Sequence, residues 1–204
     1  MRRRHISVWQ QELDGLMEQL EQEGRRPRLL LHVCCGPCAS YVLECLERYF
    51  DITLWYSNSN ILPEEEYEKR LYWLRKLLEI TGRTESVALM TDGYEPEKFL
   101  QLAAGREQEK EGGERCRACF RMRLEKTAQE ALRGGYEYIG TTLTVSRHKN
   151  AEVINGIGRE LAEMYGVKWL PADFKKRGGS DRSSALAEQY GLYEQTYCGC
   201  GMGR

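Results

Sequence analysis

The sequence lacks any run of about 18 apolar residues, the length that a helix needs to span a membrane. The basic stretch Met1–His5 is followed by the polar, amphipathic stretch Ile6–Asp14, whereas a signal peptide would continue with an apolar core. These absences predict a cytoplasmic protein with no membrane partner. In a reducing compartment, cysteines are more often metal ligands or redox catalysts than structural disulfides.

Net charge is also nearly absent, because 30 Lys and Arg residues face 31 Asp and Glu residues and give a formal charge of -1. The overall charge therefore offers no attraction to a nucleic acid, and an RNA partner would require a local basic patch. The chain also shows no internal repeat and no low-complexity segment.

Short apolar runs alternate with amphipathic patterns along the chain. Strands are predicted at 28–33, 52–57, 86–90, 136–142 and 167–170, and helices at 6–23, 38–49, 63–80, 96–103, 116–132, 149–165 and 183–190. This alternation predicts an α/β fold, a parallel five-stranded sheet with helices on both faces, in which ligands bind at the carboxyl ends of the strands. The length predicts a single domain over 1–204, with an N-terminal helix within 1–24 and a cysteine-bearing tail over 191–204.

Cysteine is the abundant functional residue, with eight copies, seven of which fall in three clusters. The clusters are Cys34, Cys35 and Cys38 after the first predicted strand, Cys116 and Cys119 at the start of a helix, and Cys198 and Cys200 in the tail. The i, i+3 spacing of the second cluster places both sulfurs on one helix face, where they can bind one metal or one cluster. Cys45 stands apart on an apolar helical pattern and is interpreted as a small core residue.

Several chemistries fit these thiols. Clusters brought together could hold an iron–sulfur cluster, with ligands left for a second metal or a redox pair, and zinc competes for the same sulfurs. The Cys35–Cys38 stretch has the letters of a thioredoxin dithiol, but Cys34 replaces the aromatic residue usual before that motif. The closely spaced Cys198 and Cys200 could form a small, reducible disulfide.

Motifs along most of the chain resemble those of the cobalamin-independent epoxyqueuosine reductase family. They are Leu29–Cys38, Asn58–Ile61, Gly113–Leu124, Thr141–Ser146, Ala172–Phe174 and Gly191–Cys200, of which the cysteine layout and the tail are specific. Ser59 and Leu62 depart from the family pattern, and 175–184 is more polar and basic. The resemblance implies an ATP-pyrophosphatase-like (HUP-like) fold, a [4Fe-4S] cluster and a nearby additional mononuclear iron. It further implies reduction of epoxyqueuosine in a tRNA anticodon to queuosine, with loss of water.

With this resemblance, the cysteines receive roles. Cys34, Cys35, Cys116 and Cys119 are expected to bind the cluster, and Cys38 is a further candidate metal ligand. Asp173, just past the fifth predicted strand, is expected either to complete the mononuclear iron site or to form a helix cap or a salt bridge. Cys198 and Cys200 are expected to relay electrons or protons as a dithiol. The electron donor is expected to be a protein such as ferredoxin or flavodoxin.

Polar and cationic residues at the same edge of the sheet are candidates for binding the modified tRNA. The expected base-binding residues are Asn58, Asn60, Thr141, Thr142 and Ser146, and His148 is either a phosphate or proton-transfer residue or a solvated loop residue. Anticodon-loop phosphates are expected at two cationic groups, Arg115, Arg117, Arg121, Arg123 and Lys126 in one and Lys175, Lys176, Arg177 and Arg182 in the other. His32, inside a strand, is interpreted as a hydrogen-bonded core residue.

The sequence is also compatible with two other functions, and it contains one motif that resembles a nucleotide-binding loop. The chain could be a thiol–disulfide oxidoreductase that uses Cys35 and Cys38, or a zinc-stabilised, non-catalytic RNA-binding module. The stretch Arg177–Ser183 resembles the pyrophosphate loop of ATP pyrophosphatases, but it follows the last predicted strand and not the first. It is therefore interpreted as a basic turn with a helix cap at Ser180 or Asp181.

Overall fold

A computed structural model describes residues 7–202 of the chain. Its strands are β1 (Arg28–His32), β2 (Asp51–Tyr56), β3 (Ala88–Thr91), β4 (Tyr138–Thr141) and β5 (Lys168–Trp169). They form one sheet in the order β3-β2-β1-β4-β5, and every neighbouring pair is parallel. The predicted five-stranded parallel sheet is confirmed, and its order is that of doubly wound sheets.

Seven α-helices connect and flank these strands within the described residues. They are α1 (Val8–Gln22), α2 (Gly36–Leu46), α3 (Glu64–Ile80), α4 (Pro96–Ala103), α5 (Glu114–Gly134), α6 (Ala151–Tyr165) and α7 (Gly179–Gln189). Each corresponds to a predicted helix. The predicted start of the first helix at Ile6, and residues 203–204 of the tail, lie outside the described residues.

The start of α7 differs most from the prediction. The helix begins at Gly179, and its N-cap residue Gly178 has φ 81°, a left-handed conformation that glycine adopts at little cost. The hydroxyl of Ser180 donates instead to the carbonyl of Val145 at 2.6 Å, and Asp181 forms an ion pair with Arg147. The prediction of a helix cap at Ser180 or Asp181 is therefore wrong.

Two apolar cores cover the two faces of the sheet, as alternation along a strand requires. Leu29, Leu31 and Val33 of the β1 segment pack into a core with residues of α1, α2, α3 and α7. Leu30 packs on the opposite face with residues of α5 and α6. No helix within residues 7–202 is both long enough and apolar enough to cross a bilayer.

Polar loops leave the carboxyl ends of the three central strands side by side. β1 lies between β2 and β4, so the cysteine loop after β1 is flanked by the loop that begins at Ser57 and by the short 3-10 helix Thr142–Val145. Helix α5 packs over the same end of the sheet on the Leu30 face. The sheet therefore gathers loops from distant parts of the sequence at one edge.

Candidate functional site

A cleft of about 650 Å³ opens at this edge and is joined to a smaller cavity of about 20 Å³. The large cleft is lined by Cys34, Cys38 and Cys198 together with polar side chains. The small cavity is lined by Cys116, Cys119, Cys198 and Cys200. The two spaces share wall residues, namely Asn60, Glu111, Arg123, Lys149 and Cys198. Six of the eight cysteines thus line these two adjoining spaces, and Cys35 lies against Cys34.

The first thiol group is built by the turn from β1 into α2. The sulfurs of Cys34, Cys35 and Cys38 all lie within 4.8 Å of one another, and within residues 7–202 no other group of three or more His, Cys, Asp or Glu ligand atoms is so compact. Cys35 is the N-cap residue of α2, and Pro37 occupies the first turn, where proline is favoured. This local geometry explains why three cysteines within five residues converge on one point.

Mutual hydrogen bonding divides the protons unequally within this group. Hydrogen bonds from Cys35 and Cys38 lower the pKa of Cys34, and the cations Arg123 and Lys149 lower it further. The same contact with Cys34 raises the pKa of Cys35 to about 12 and raises that of Cys38 as well. These contacts favour the thiolate at Cys34 over that at Cys35 or Cys38, and a thiolate is the form that binds metal.

The second thiol group lies on the first turns of α5 and in the tail. Cys116 and Cys119 are 8% and 7% exposed, and the amide of Gly112 donates to the Cys116 sulfur at 3.3 Å. Burial raises the pKa of Cys119 to about 11. Cys200 packs in the same small cluster as Cys119, with Cys198 against it. The predicted pairing of Cys116 and Cys119 on one helix face therefore agrees with the structure.

The tail cysteines are a reduced pair in this structure, with their sulfurs 3.8 Å apart. A hydrogen bond from Cys200 lowers the pKa of Cys198 to about 5, and the ammonium group of Lys149 contributes to the shift. The same hydrogen bond raises the pKa of Cys200. One thiolate and one thiol thus stand side by side where the two cavities meet.

Contacts with α3 fix the tail over the site. Glu66 and Arg70 form a buried ion pair at 2.7 Å, and the Tyr193 hydroxyl donates to Glu66. The amide of Leu62 donates to the carbonyl of Gly199 at 2.8 Å. A Cβ atom at Gly199 would lie 2.7 Å from Ile61, so glycine between the two cysteines permits this close approach.

A second link joins the tail directly to the first thiol group. The side-chain amide of Gln195 donates to the sulfur of Cys35 at 3.3 Å, across 160 residues of sequence. The tail therefore covers the first thiol group and supplies part of the cleft wall.

A buried polar network lies beneath the two thiol groups. The guanidinium of Arg123, which is 4% exposed, donates from Nε to Nε2 of His32 at 3.2 Å and from Nη2 to the amide oxygen of Asn58. Because Nε2 accepts, the His32 proton is on Nδ1, which donates to Thr141 Oγ1 at 2.8 Å. Burial and the Arg123 charge lower the pKa of His32 to about 3, so this imidazole is neutral. The interpretation of His32 as a hydrogen-bonded core residue agrees with these contacts.

The predicted base-binding residues separate into structural and accessible ones. Asn58 and Thr141 are engaged in the network beneath the site, and the Asn58 amide also donates to the Val33 carbonyl at 2.7 Å. The Thr142 hydroxyl lies 3.9 Å from the Cys34 sulfur. By contrast, Asn60 lines both cavities, and its buried Oδ1 has no hydrogen-bond partner. Ser146 and His148 also line the cleft, with His148 exposed to solvent.

Most cations of the two predicted phosphate-binding groups already have protein partners. Arg115 is buried and donates to the carbonyls of Arg106, Glu107 and Met202. The remaining ion pairs are Arg117–Glu114, Arg121–Glu160, Lys126–Asp92, Lys175–Asp173, Arg177–Asp14 and Arg182–Glu44. Arg121, Lys175 and Arg177 line neither cavity. Their assignment to RNA stays a prediction, and it requires these pairs to open.

Asp173 is 3% exposed and accepts from the Lys175 ammonium at 2.6 Å. Its loop is held by Asn155, whose amide contacts both the carbonyl and the amide of Ala172. Asp173 lines neither cavity and is not part of the compact thiol group. Of the roles predicted for Asp173, the structure shows the salt bridge. Its role as an iron ligand stays a prediction.

The sequence interpretation missed the site roles of Arg70, Lys149 and Gln195, and it placed Arg123 with the RNA-binding residues. Arg123 follows Cys119 by four residues and Cys116 by seven, so all three share one face of α5. That spacing could have placed Arg123 in the site. Contacts such as Gln195 with Cys35 have no comparable local signal, because they depend on how the tail folds back.

Known proteins with similar sequences cover most of this chain. Residues 29–204 match the family model described as "Epoxyqueuosine reductase QueH". A relative of that name from Streptococcus pyogenes serotype M1 is 43% identical over 193 residues, covering 92% of this chain and 76% of the relative. One from Staphylococcus aureus (strain Mu50) is 43% identical over 192 residues, covering 92% and 80%. One from Thermotoga maritima is 35% identical over 175 residues, covering 84% and 88%.

Proposed function

This chain belongs to the epoxyqueuosine reductase QueH family, and from that membership we propose that it reduces epoxyqueuosine in a tRNA anticodon to queuosine. The reaction consumes two electrons and two protons, converts the epoxide to an alkene and releases its oxygen as water. The observation that carries the proposal is that seven cysteines lie at a cleft and an adjoining small cavity at the carboxyl edge of a parallel sheet. Such an edge is where α/β folds bind ligands.

The chemistry of the donor set fits an iron–sulfur centre, because thiolates are the usual ligands of such clusters. We assign Cys34, Cys35, Cys116 and Cys119 to the [4Fe-4S] cluster, and Cys38 and Asp173 to an additional iron. The contact of Cys34 with both Cys35 and the core around Cys116 supports the assignment of the cluster cysteines. Asp173 would have to release Lys175 to bind iron. When bound, the centre would supply electrons one at a time and a Lewis-acidic iron for the epoxide oxygen.

The cleft has room for a modified nucleoside, since small-molecule sites typically occupy about 300–1,000 Å³. Asn60 carries an unpartnered amide oxygen in the shared wall, so a donor group of the substrate would satisfy it. Ser146 and His148 lie in the same cleft wall, where they can contact the substrate or deliver a proton. Asn58, Thr141 and Thr142 lie beneath and act by holding the wall in place.

The tail supplies a dithiol beside the reaction space. Cys198 lines both cavities and Cys200 lines the small one, and the hydrogen bond between them favours the thiolate at Cys198 and the thiol at Cys200. Two such thiols can give up two electrons and form a disulfide, which a reductant then returns to the dithiol. We assign them to electron or proton relay between an external donor, such as a ferredoxin or flavodoxin, and the cleft. Because tRNA is the substrate, we place the reaction in the cytoplasm.

Turnover of tRNA containing epoxyqueuosine tests the proposal directly. The protein is purified anaerobically, loaded with iron and sulfide, and incubated with the modified tRNA and dithionite, and the nucleosides are then analysed by mass spectrometry. The expected product has lost one oxygen atom. A fully iron-loaded protein that leaves the epoxide intact contradicts the proposal.

Metal analysis of the same preparation separates the alternatives. A brown protein that dithionite bleaches supports the reductase. A colourless protein with tightly bound zinc indicates an RNA-binding module, and a protein with no metal but disulfide reductase activity indicates a dithiol enzyme that uses Cys35 and Cys38.

A further inference from the structure

Arg123 is a buried cation without a carboxylate partner among residues 7–202. The ion pairs of the described chain do not include it, and its two hydrogen-bond acceptors, His32 and Asn58, are neutral. Burial of an unpaired charge is strongly unfavourable unless an anion compensates it. Arg70, which is equally buried, is paired with Glu66 and shows the usual solution.

The groups that Arg123 faces across the two cavities are cysteine sulfurs. The side chain lines both cavities, with Cys34 on one side and Cys119 on the other. The guanidinium therefore lies where the spaces bordered by the two thiol groups adjoin.

The network beneath Arg123 fixes where this charge lies. His32 accepts from Nε and Asn58 accepts from Nη2, so two edges of the planar guanidinium are held at once. Asn58 is itself anchored on the Val33 carbonyl, and His32 on Thr141. A lysine ammonium is a point charge on a flexible chain and cannot occupy both acceptors with this geometry.

We propose that Arg123 is a positioning residue of the reductase, a fixed cation between the two thiol groups that raises the reduction potential of the metal centre bound there. The inference rests on the proposed function, because it requires a redox-active centre in the site. Reduction adds negative charge to such a centre, and a nearby positive charge favours the more negative state. Loss of the charge therefore makes the centre harder to reduce.

The test is the midpoint potential of the iron-loaded protein, measured by dye-mediated titration followed in the visible spectrum. The variants are Arg123→Gln, which removes the charge, and Arg123→Lys, which keeps the charge but loses the fixed geometry. Arg121→Gln is the matched control, since it removes a cation from the same helix, where Arg121 is exposed and paired with Glu160. We expect a more negative potential in Arg123→Gln, a smaller shift in the same direction in Arg123→Lys, and the wild-type potential in Arg121→Gln. Iron content is expected to stay at the wild-type level.

The remaining outcomes overturn the inference in distinguishable ways. A wild-type potential in a folded, iron-loaded Arg123 variant leaves the proposed function intact and removes the role of Arg123. The same shift in Arg121→Gln attributes the effect to the general charge of α5. If both Arg123 variants lose their helical circular dichroism, the residue is purely structural. If the wild-type protein holds no redox-active centre, the proposed function and this inference both fail.

Discussion

The hydroxyl of Tyr193 donates to both carboxylate oxygens of Glu66, at 3.2 and 3.1 Å, and so ties the cysteine-bearing tail to helix α3. Glu66 in turn is paired with Arg70, whose guanidinium lies 5.5 Å from the centre of the Tyr197 ring. Two aromatic side chains of the tail therefore lie on one buried ion pair. Removal of either hydrogen-bonding partner should loosen the segment that carries Cys198.

The first prediction concerns Tyr193→Phe, which removes the hydroxyl and keeps the ring. We expect the loss of a hydrogen bond to a charged acceptor to lower the free energy of unfolding by about 2 kcal/mol, because the tail is held less tightly against α3. The measurement is hydrogen–deuterium exchange at the amide of Leu62, which donates to the carbonyl of Gly199. Its exchange should become faster. Tyr72→Phe is the control, since Tyr72 lies on α3, the helix that carries Glu66, and its side chain is half exposed. Unchanged exchange at Leu62 would show that Tyr193 does not hold the tail.

The second prediction concerns the ligand assignment. Cys116→Ala and Cys119→Ala should each lower the iron content of the reconstituted protein and remove its visible absorbance, because each deletes one thiolate from the proposed cluster site. Cys45→Ala is the matched control, since Cys45 packs against the α2 core and lines neither cavity. The measurement is iron and sulfide per chain after gel filtration. Normal iron content in the first two variants would contradict the assignment.

The third prediction uses the thiolate character of Cys198 in reduced, metal-free protein. With its pKa lowered to about 5, mainly by the hydrogen bond from Cys200, Cys198 is deprotonated above that pH. Its alkylation by iodoacetamide should therefore be nearly constant from about pH 6 upward, whereas an ordinary thiol gains rate through about pH 8.5. Lys149→Met removes a contributing cation and should move the midpoint of the rate profile to higher pH. Mass spectrometry of the modified peptide gives the rates, and a midpoint near 8.5 in the wild type would refute the assignment.

The fourth prediction tests the packing of α6 on β5. A Cβ atom at Gly158 would lie 2.4 Å from the indole of Trp169, whereas one at Gly156 meets nothing within 4 Å. Gly158→Ala should destabilise the protein by about 1–3 kcal/mol, because the crowded ring must shift. Gly156→Ala should stabilise it by about 0.5–1 kcal/mol, because glycine is unfavourable inside an exposed helix. Urea denaturation measures both, and equal effects of the two substitutions would exclude the steric explanation.

The sheet and its helices could be predicted because their signals are local. In the apolar run Leu29–Leu31 and in the amphipathic pattern of α6, the order of apolar and polar residues alone indicates which positions are buried. Periodicity is therefore sufficient to identify these elements. The start of α7 was missed because Gly178 in a left-handed turn allows the helix to begin before any capping side chain. Glycine has no side chain that would indicate in the sequence that a helix begins after it.

The site was only partly predictable for a related reason. The number and spacing of the cysteines predict a metal or redox site, and the position of the first cluster directly after a strand predicts that this site lies at the carboxyl edge of the sheet. Whether a cation contacts solvent or sulfur depends on tertiary packing. Arg121 and Arg123 are two residues apart in one helix, yet Arg121 forms an exposed ion pair and Arg123 lies between the thiol groups. Composition alone cannot separate such neighbours.

Side chains alternate between the two faces of the sheet along β1, and this alternation continues to Cys34 beyond the end of the strand. Leu30 packs on the face covered by α5, and His32 and Cys34, two and four residues later, meet the same helix side. Cys38 packs instead against the core of the other face. A one-residue insertion or deletion between Leu30 and Cys34 would turn these side chains to the opposite face of the sheet. We therefore expect the number of residues between the first strand and its first thiol to stay fixed during evolution.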